Sequence, residues 1–138
     1  MIEKTLVIIK PDATERNLAT RILSMIESAG LKLTAIKSLK ISKSEAEEFY
    51  RIHKGKGFFE SLTRYMSSGK IVVAVFEGEE AISKVRKIMG ATDPGKAENG
   101  TIRKIYGIDI EKNSIHGSDS KESADFEISF FFSQMELM

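Results

Sequence analysis

The sequence has 138 residues, which predicts a single domain spanning residues 1–138. It is 41% hydrophobic and 30% charged and has no cysteine, which is typical of a globular protein and excludes disulfides and thiol-bound zinc. Its 21 Lys and Arg residues nearly balance its 20 Asp and Glu residues. This balance, and an N-terminal apolar run too short for a membrane span, predict a cytoplasmic protein with no membrane and no dedicated nucleic-acid partner.

The N-terminal third predicts a strand, a helix and a second strand. Residues 6–9 form a continuous apolar run, which places a strand in the middle of a sheet. Apolar residues recur at helical spacing over 13–29, and Gly30 then ends the helix. Residues 31–41 alternate between apolar and polar, which predicts a half-buried strand, although Lys37 interrupts the pattern.

The middle of the chain predicts more helix and a second central strand. A helix is expected from a cap at Ser42 or Ser44 to about residue 53, with acidic residues near its positive end. A further helical turn or two is expected over 58–65. Residues 71–76 are the second fully apolar run, and we expect them to form the other central strand.

The C-terminal third predicts helix 80–89, a long loop over 91–107, a short strand near 114–117, and helix 120–132. This order of elements predicts an α+β fold, a ferredoxin-like βαββαβ sandwich whose four-stranded antiparallel sheet is covered by helices on one face. Because that fold serves many functions, the function must be argued from the site.

Residues 90–97 nearly match the phosphate-binding motif G-x-x-x-x-G-K-[ST]. Ala97 lacks the hydroxyl that this motif uses, Pro94 removes a backbone donor, and the segment follows a predicted helix rather than a strand. A helix end followed by a turn is therefore the better interpretation.

The chain has only two histidines, His53 and His116. His53 has only lysines nearby in sequence, and we interpret it as structural or incidental. His116 lies in the run Asn-Ser-Ile-His-Gly-Ser-Asp-Ser, just before a predicted helix N-terminus, where anions are favoured. A neutral imidazole in such a position is a competent nucleophile when its second nitrogen is held by an orienting group.

Taken together, several segments are much more specific than any single residue. They are residues 4–13, Phe58-Phe59 with Leu62, 65–69, Glu77-Gly78, 90–94, 100–103, 113–120 and Glu127-Ile128. With these segments in register over nearly the whole chain, the sequence resembles the nucleoside diphosphate kinase family. The resemblance implies that ATP gives its γ-phosphate to a histidine, which then passes it to a nucleoside diphosphate.

The resemblance assigns His116 as the nucleophile, acting through Nδ1. It implies that Glu127 orients the other ring nitrogen and that Ser118 hydrogen-bonds nearby. Lys10 and Tyr50 match groups around the transferred phosphoryl, with Lys10 as its main charge partner.

The remaining matches concern the nucleotide. Arg86, Thr92 and Arg103 match phosphate contacts, Asn113 matches a contact to ribose and phosphate, and Phe58 matches the aromatic side chain on which the base stacks. Read singly, these basic and polar residues would be ordinary surface residues, because each lies at an element end or in a loop.

The resemblance also implies Mg²⁺ as cofactor, held mainly by the phosphates rather than by protein ligands, with Asp119 acting through water. ATP and nucleoside diphosphates are the expected partners. Members that end soon after a position such as Phe132 assemble as tetramers or hexamers, so we expect a homo-oligomer of one of these sizes.

Three departures from the family pattern are evident. The usual Arg-Gly-Asp-Phe is Arg103-Lys-Ile-Tyr, the usual proline before Phe58 is Gly57, and the proline usual before Gly100 is Asn99. None removes a residue matched to the chemistry, although loop packing, loop rigidity and the entry to the platform are expected to differ.

Two other functions remain open from the residues. One is a nucleotide sensor of ferredoxin-like fold that binds ATP without turnover, and it would acquire no covalent label from ATP. The other is an RNA-binding module of the same topology, which the net charge of +1 and the aliphatic central strand at 71–75 disfavour.

Overall fold

The computed structural model describes all residues, 1–138. Four strands form one antiparallel sheet in the order β2-β3-β1-β4: β1 Ile2–Ile9, β2 Lys32–Leu39, β3 Ile71–Glu79 and β4 Ile115–Gly117. The two continuous apolar runs are the two central strands, as predicted. The α+β class and the ferredoxin-like strand order are confirmed.

Seven α-helices join and cover these strands: α1 Pro11–Glu15, α2 Ala19–Glu27, α3 Lys43–Phe49, α4 Phe59–Met66, α5 Ala81–Met89, α6 Ile102–Tyr106 and α7 Lys121–Phe131. Short 3-10 turns occupy Arg51–His53, Pro94–Lys96 and Met135–Leu137. None of the helices combines the length and the apolar character that crossing a membrane requires.

The expectation that helices cover one face of the sheet is wrong, because both faces are covered. Successive side chains of a strand point to opposite faces, so a strand that is apolar at every position needs a core on each side. Val7 and Ile9 of β1 pack with α2 and α5, whereas Leu6 and Ile8 pack with α3, α4 and α7.

The predicted alternation of β2 is interrupted by a bulge. The register shifts between Leu33 and Ala35, so these two side chains pack in different core clusters, although the sequence pattern placed them on one face. Lys37, which interrupts the alternation, contacts the C-terminal segment. Its Nζ donates to the Phe131 carbonyl at 2.7 Å and pairs with Glu136 at 2.8 Å.

The predicted helix over 13–29 is divided into α1 and α2. Asn17 lies between them with φ of +59°, a left-handed conformation that asparagine tolerates better than most residues and that no continuous helix permits. The predicted long loop also differs, because it contains α6, whose cap is the Thr101 hydroxyl.

Of the two serines predicted to cap the third helix, Ser42 is the cap. Ser42 caps α3 in a reciprocal pair with Glu45, and the Ser120 hydroxyl accepts from the Ser123 N–H at the start of α7. Residues 90–97 follow helix α5 rather than a strand and include a 3-10 turn, as the rejection of the phosphate-binding motif required.

Candidate active site

One cleft of about 480 Å³ brings the candidate residues together at the edge of the sheet that β4 forms. Its lining includes every residue assigned from the resemblance except Ser118: Lys10, Tyr50, Phe58, Arg86, Thr92, Arg103, Asn113, His116, Asp119 and Glu127. A larger cavity of about 620 Å³ contains none of them. The cleft is therefore the candidate active site.

The His116 imidazole is held by a carboxylate from a different element. β4 carries His116, and its Nε2 lies 2.8 Å from Oε1 of Glu127 on α7. An ionised carboxylate only accepts hydrogen bonds, so Nε2 carries the proton and donates it. This tautomer leaves the lone pair on Nδ1, which is the nitrogen that can act as a nucleophile.

Ser118 lies beneath this pair rather than in the cleft. It is fully buried, and its hydroxyl donates to the same Oε1 of Glu127 at 2.8 Å. The Leu6 N–H donates to the Ser118 oxygen at 3.2 Å, which ties the hydroxyl to central strand β1. Two donors thus fix the Glu127 carboxylate, and the carboxylate in turn fixes the orientation of the imidazole.

Aromatic side chains enclose the ring of His116. The Phe49 ring lies edge-on with its centroid 5.6 Å away, and the Tyr50 ring lies perpendicular at 6.1 Å. These contacts restrict rotation of the imidazole about its side-chain bonds.

Lys10 is a buried cation at the end of β1. Its side chain is nearly inaccessible, and its Nζ donates to the Glu111 carbonyl at 3.3 Å. Burial, and to a lesser extent the positive charge of Arg103, lower the pKa of Lys10 to about 8. Because burial and a neighbouring positive charge both disfavour the charged ammonium, binding of an anion beside Lys10 would be favourable.

Two arginines add positive charge to the same region. Arg103 of α6 donates to the carbonyls of Gly90 at 3.1 Å and Ile115 at 2.7 Å, and Arg86 of α5 donates to the Gly117 carbonyl at 3.1 Å. Burial and then Arg86 lower the pKa of Arg103 to about 10, so Arg103 stays charged at neutral pH. Backbone carbonyls therefore fix both guanidinium groups without neutralising them.

Three buried polar atoms in the cleft lack a hydrogen-bond partner in the protein: Tyr50 Oη, Arg103 Nε and Asn113 Oδ1. Buried polar atoms are nearly always paired with protein, water or ligand, so these three are available to bind a polar ligand. Burial, and secondarily the charge of Glu127, raise the pKa of Tyr50, so its hydroxyl remains a neutral donor. The Asn113 amide is held in place, because its Nδ2 donates to the carbonyls of Thr92 and Ile110, both at 3.0 Å.

An exposed aromatic ring stands at the mouth of the cleft. Phe58 precedes α4, lines the cleft and is 49% exposed, so one face of its ring is open to a ligand. His53 also lines the cleft, with its ring centroid 5.3 Å from that of Phe58 and its Nδ1 3.1 Å from Lys56 Nζ. The interpretation of His53 as incidental missed this position.

Sequence reasoning also missed Phe49, Ile110 and Glu111, which line the cleft. Phe49 has the helical spacing of an ordinary core residue, and Ile110 and Glu111 lie in a loop without periodicity. Glu111 contributes its backbone carbonyl to Lys10, a role that no side-chain pattern can reveal.

The family model of nucleoside diphosphate kinase matches residues 3–137. A nucleoside diphosphate kinase from Nitratidesulfovibrio vulgaris (strain Hildenborough) is 54% identical over 138 residues, covering 100% of this chain and 99% of the relative. One from Geobacter sulfurreducens is 53% identical over 137 residues, covering 99% of this chain and 100% of the relative.

Solved structures of nucleoside diphosphate kinases are also similar to this chain. A crystal structure of the Aquifex aeolicus nucleoside diphosphate kinase superposes with a TM-score of 0.98 at 43% identity and full coverage of both chains. The Halobacterium salinarum enzyme in complex with CDP superposes with a TM-score of 0.95 at 40% identity, covering 100% of this chain and 92% of the other.

The low pKa of Lys10 predicts a pH dependence of anion binding. Its ammonium is charged below about pH 8 and loses its charge above that value. Since the cleft then presents one cation fewer, the affinity for ADP should fall by roughly tenfold or more between pH 7.5 and 9.5. Calorimetric titration with ADP across this range measures the effect.

Lys10→Met is the matched control for this prediction. Methionine keeps much of the length and apolar packing of lysine but has no titratable group, so the variant should bind ADP weakly and show no step near pH 8. An equally steep fall in the variant would assign the step to another group and contradict the prediction.

Proposed function

The chain belongs to the nucleoside diphosphate kinase family, and from that premise we propose that His116 carries the phosphoryl group during the reaction. The enzyme transfers the γ-phosphate of ATP to nucleoside diphosphates. The observation that carries the proposal is the 2.8 Å bond from Nε2 to Glu127, which leaves Nδ1 as the nucleophilic nitrogen of a histidine in the cationic cleft.

In the first half-reaction, the lone pair on Nδ1 attacks the γ-phosphorus of ATP. A nitrogen–phosphorus bond forms, the bond from phosphorus to the bridging oxygen breaks, and ADP leaves with that electron pair. In the second half-reaction, a terminal phosphate oxygen of a nucleoside diphosphate attacks the same phosphorus and releases Nδ1. The enzyme returns to its starting state after each pair of transfers.

Little covalent machinery is needed beyond the imidazole, because phosphoryl transfer depends mainly on positioning and charge. We assign Lys10, Arg86 and Arg103 to the phosphate oxygens, since they are the buried or fixed cations of the cleft. The unpaired Tyr50 hydroxyl is a neutral donor for the transferred group, and the unpaired Asn113 carbonyl suits a ribose hydroxyl. Thr92 lies beside them and supplies a further hydroxyl for phosphate.

Phe58 is the proposed platform for the base. Every nucleobase has a π-face, so stacking on an exposed ring binds different bases without reading their edges. This arrangement suits an enzyme that accepts several nucleoside diphosphates.

We propose Mg²⁺ as cofactor, delivered with the nucleotide. The chain has no cluster of three or more metal-binding side chains, and Glu127 is committed to His116 and Ser118. Asp119, also in the cleft, is kept ionised because hydrogen bonds from Ser123 lower its pKa, so it suits a hydrated cation on the phosphates. Bound Mg²⁺ would neutralise part of the phosphate charge.

The proposed phosphohistidine predicts a covalent intermediate. After mixing with γ-labelled ATP and Mg²⁺, the native enzyme should acquire one acid-labile label, and His116→Ala should acquire none and lose nucleotide exchange. The reason is that the alanine has no nucleophile. Intact-protein mass spectrometry and label counting measure the result.

The chain's two histidines supply the control, because His53→Gln should still be labelled. Addition of EDTA to the native enzyme should prevent labelling, which tests the cofactor. Labelling of His116→Ala at an unchanged level would assign the intermediate to another residue and overturn the proposal.

A second prediction concerns the charge of Glu127. As Nδ1 bonds to phosphorus, the ring becomes positive, and the carboxylate stabilises that charge. Glu127→Gln keeps the shape and one acceptor oxygen but loses the charge, so phosphoenzyme formation should slow by roughly 10- to 100-fold. Rapid-quench measurement gives this rate, and ADP affinity should change little, since Glu127 stabilises the ring rather than the nucleotide. A native rate would show that the carboxylate charge is not used.

We further propose that residues 1–138 act as one domain in the cytoplasm, where ATP and nucleoside diphosphates are at hand, and that copies assemble as a tetramer or hexamer. β2 is an edge strand with one unpaired side and an exposed Ile36, a feature that association would protect. Light scattering should give four or six times the mass of the chain, and a monomer at micromolar concentration would contradict this expectation.

A further inference from the structure

A buried carboxylate outside the cleft lining joins three separate parts of the chain. Asp12 lies in α1 and is only 6% exposed. Its Oδ1 accepts from the Tyr65 hydroxyl and from the Ser114 N–H at 3.3 Å. Its Oδ2 accepts from the Ser114 hydroxyl at 3.0 Å and from Arg16 at 3.2 Å. Replacing the Asp12 carboxylate would destabilise this region, because each of these donors would lose a charged acceptor.

Ser114, which donates two of these bonds, has a strained backbone. Its φ is +76°, in the left-handed region that a residue with a Cβ rarely adopts. The Ile115 N–H donates to the Asn113 carbonyl at 3.0 Å, so Ser114 is the central residue of a three-residue γ-turn of the rare, positive-φ kind. A strained turn persists only when its surroundings hold it, and such turns cluster at active sites.

The turn connects three residues of the proposed reaction. Asn113 is its first residue, and His116 follows two residues after its centre. The Ser114 carbonyl accepts from the Lys10 N–H at 2.9 Å, which joins the turn to the end of β1. A change in the backbone conformation of Ser114 would therefore move His116 relative to Lys10 and Asn113.

β4 cannot hold this arrangement alone. It has three residues and pairs only with β1, so few ladder bonds fix its position. Asp12 is fixed better, because it lies at the start of a helix and is also bound by Tyr65 from α4.

We propose that Asp12 is a positioning residue for phosphoryl transfer, holding the turn at Ser114 in its left-handed conformation and thereby fixing His116 and Asn113 relative to Lys10. The proposal rests on the function proposed above. Asp12 does not line the cleft, so it does not contact the nucleotide there. Burial lowers the pKa of Lys10 and the charge of Asp12 partly offsets this, an effect of Asp12 that Ser114→Gly would not restore.

The test uses the fact that glycine adopts a positive φ without strain. Asp12→Asn weakens the hold on Ser114, because the amide offers one acceptor oxygen in place of two. Phosphoenzyme formation at saturating ATP should slow by roughly tenfold or more, with a smaller change in KM. Adding Ser114→Gly to Asp12→Asn should recover most of that loss, since the turn then needs no clamp.

A control for general stability accompanies this rescue. Glycine also relieves the strain of the turn and so can raise the Tm, and a second variant therefore tests whether lower stability alone slows the reaction. Ile26→Ala, a buried change on α2 away from the cleft, is the stability control. It should lower the Tm while leaving the rate of phosphoenzyme formation near native.

The amide NMR signals of Asn113, Ile115 and His116 provide a readout that does not depend on catalysis. They should shift or broaden in Asp12→Asn and return towards native positions in the double variant. A folded Asp12→Asn with native rate and native signals, or a double variant as slow and as perturbed as Asp12→Asn, would overturn the proposal. If the native enzyme formed no phosphohistidine, the proposed function would fail, and the NMR signals would still decide whether Asp12 holds the turn.

Discussion

The hydrogen bond between His116 and Glu127 is the constraint on which the site depends. It selects one tautomer of the imidazole and so decides which nitrogen carries the lone pair. The bond joins a short edge strand to α7, and Ser118 fixes the carboxylate from below while reaching strand β1. The orientation of the His116 imidazole is therefore set by the central sheet as well as by its own strand.

The cleft concentrates cations at a cost in folding free energy. Lys10 and Arg103 are both buried, and each has a pKa below its usual value because of desolvation and a neighbouring positive charge. The fold holds these groups with backbone carbonyls, which satisfy N–H donors without cancelling charge. Because carbonyls rather than carboxylates bind these cations, the positive potential of the cleft stays available to an anion. Neither cation has a carboxylate partner at hydrogen-bond distance.

Sequence patterns predicted the parts of the fold that depend on local chemistry. Continuous apolar runs identified the central strands, and serine and glycine identified helix ends. The patterns failed where geometry is decided by tertiary contacts: the bulge after Leu33, the left-handed Asn17, and helix α6 within the predicted loop. The site residues came from a resemblance over the whole chain, because a lysine or asparagine in a loop has no periodicity. The role of a backbone carbonyl such as that of Glu111 has no side-chain signal at all.

The departure at residues 104–106 is compatible with the site because of how α6 is oriented. Ile102 and Arg103 are buried on the inner side of this helix, whereas Lys104 and Ile105 are exposed. Residues on the outer side can therefore change without moving the guanidinium that reaches Ile115. Gly107 ends the helix where an added Cβ would lie 2.6 Å from the Arg103 carbonyl, so backbone contact fixes the end of the segment. The position of Arg103 thus follows from the helix cap at Thr101 and this close approach, and not from the two exposed residues that differ.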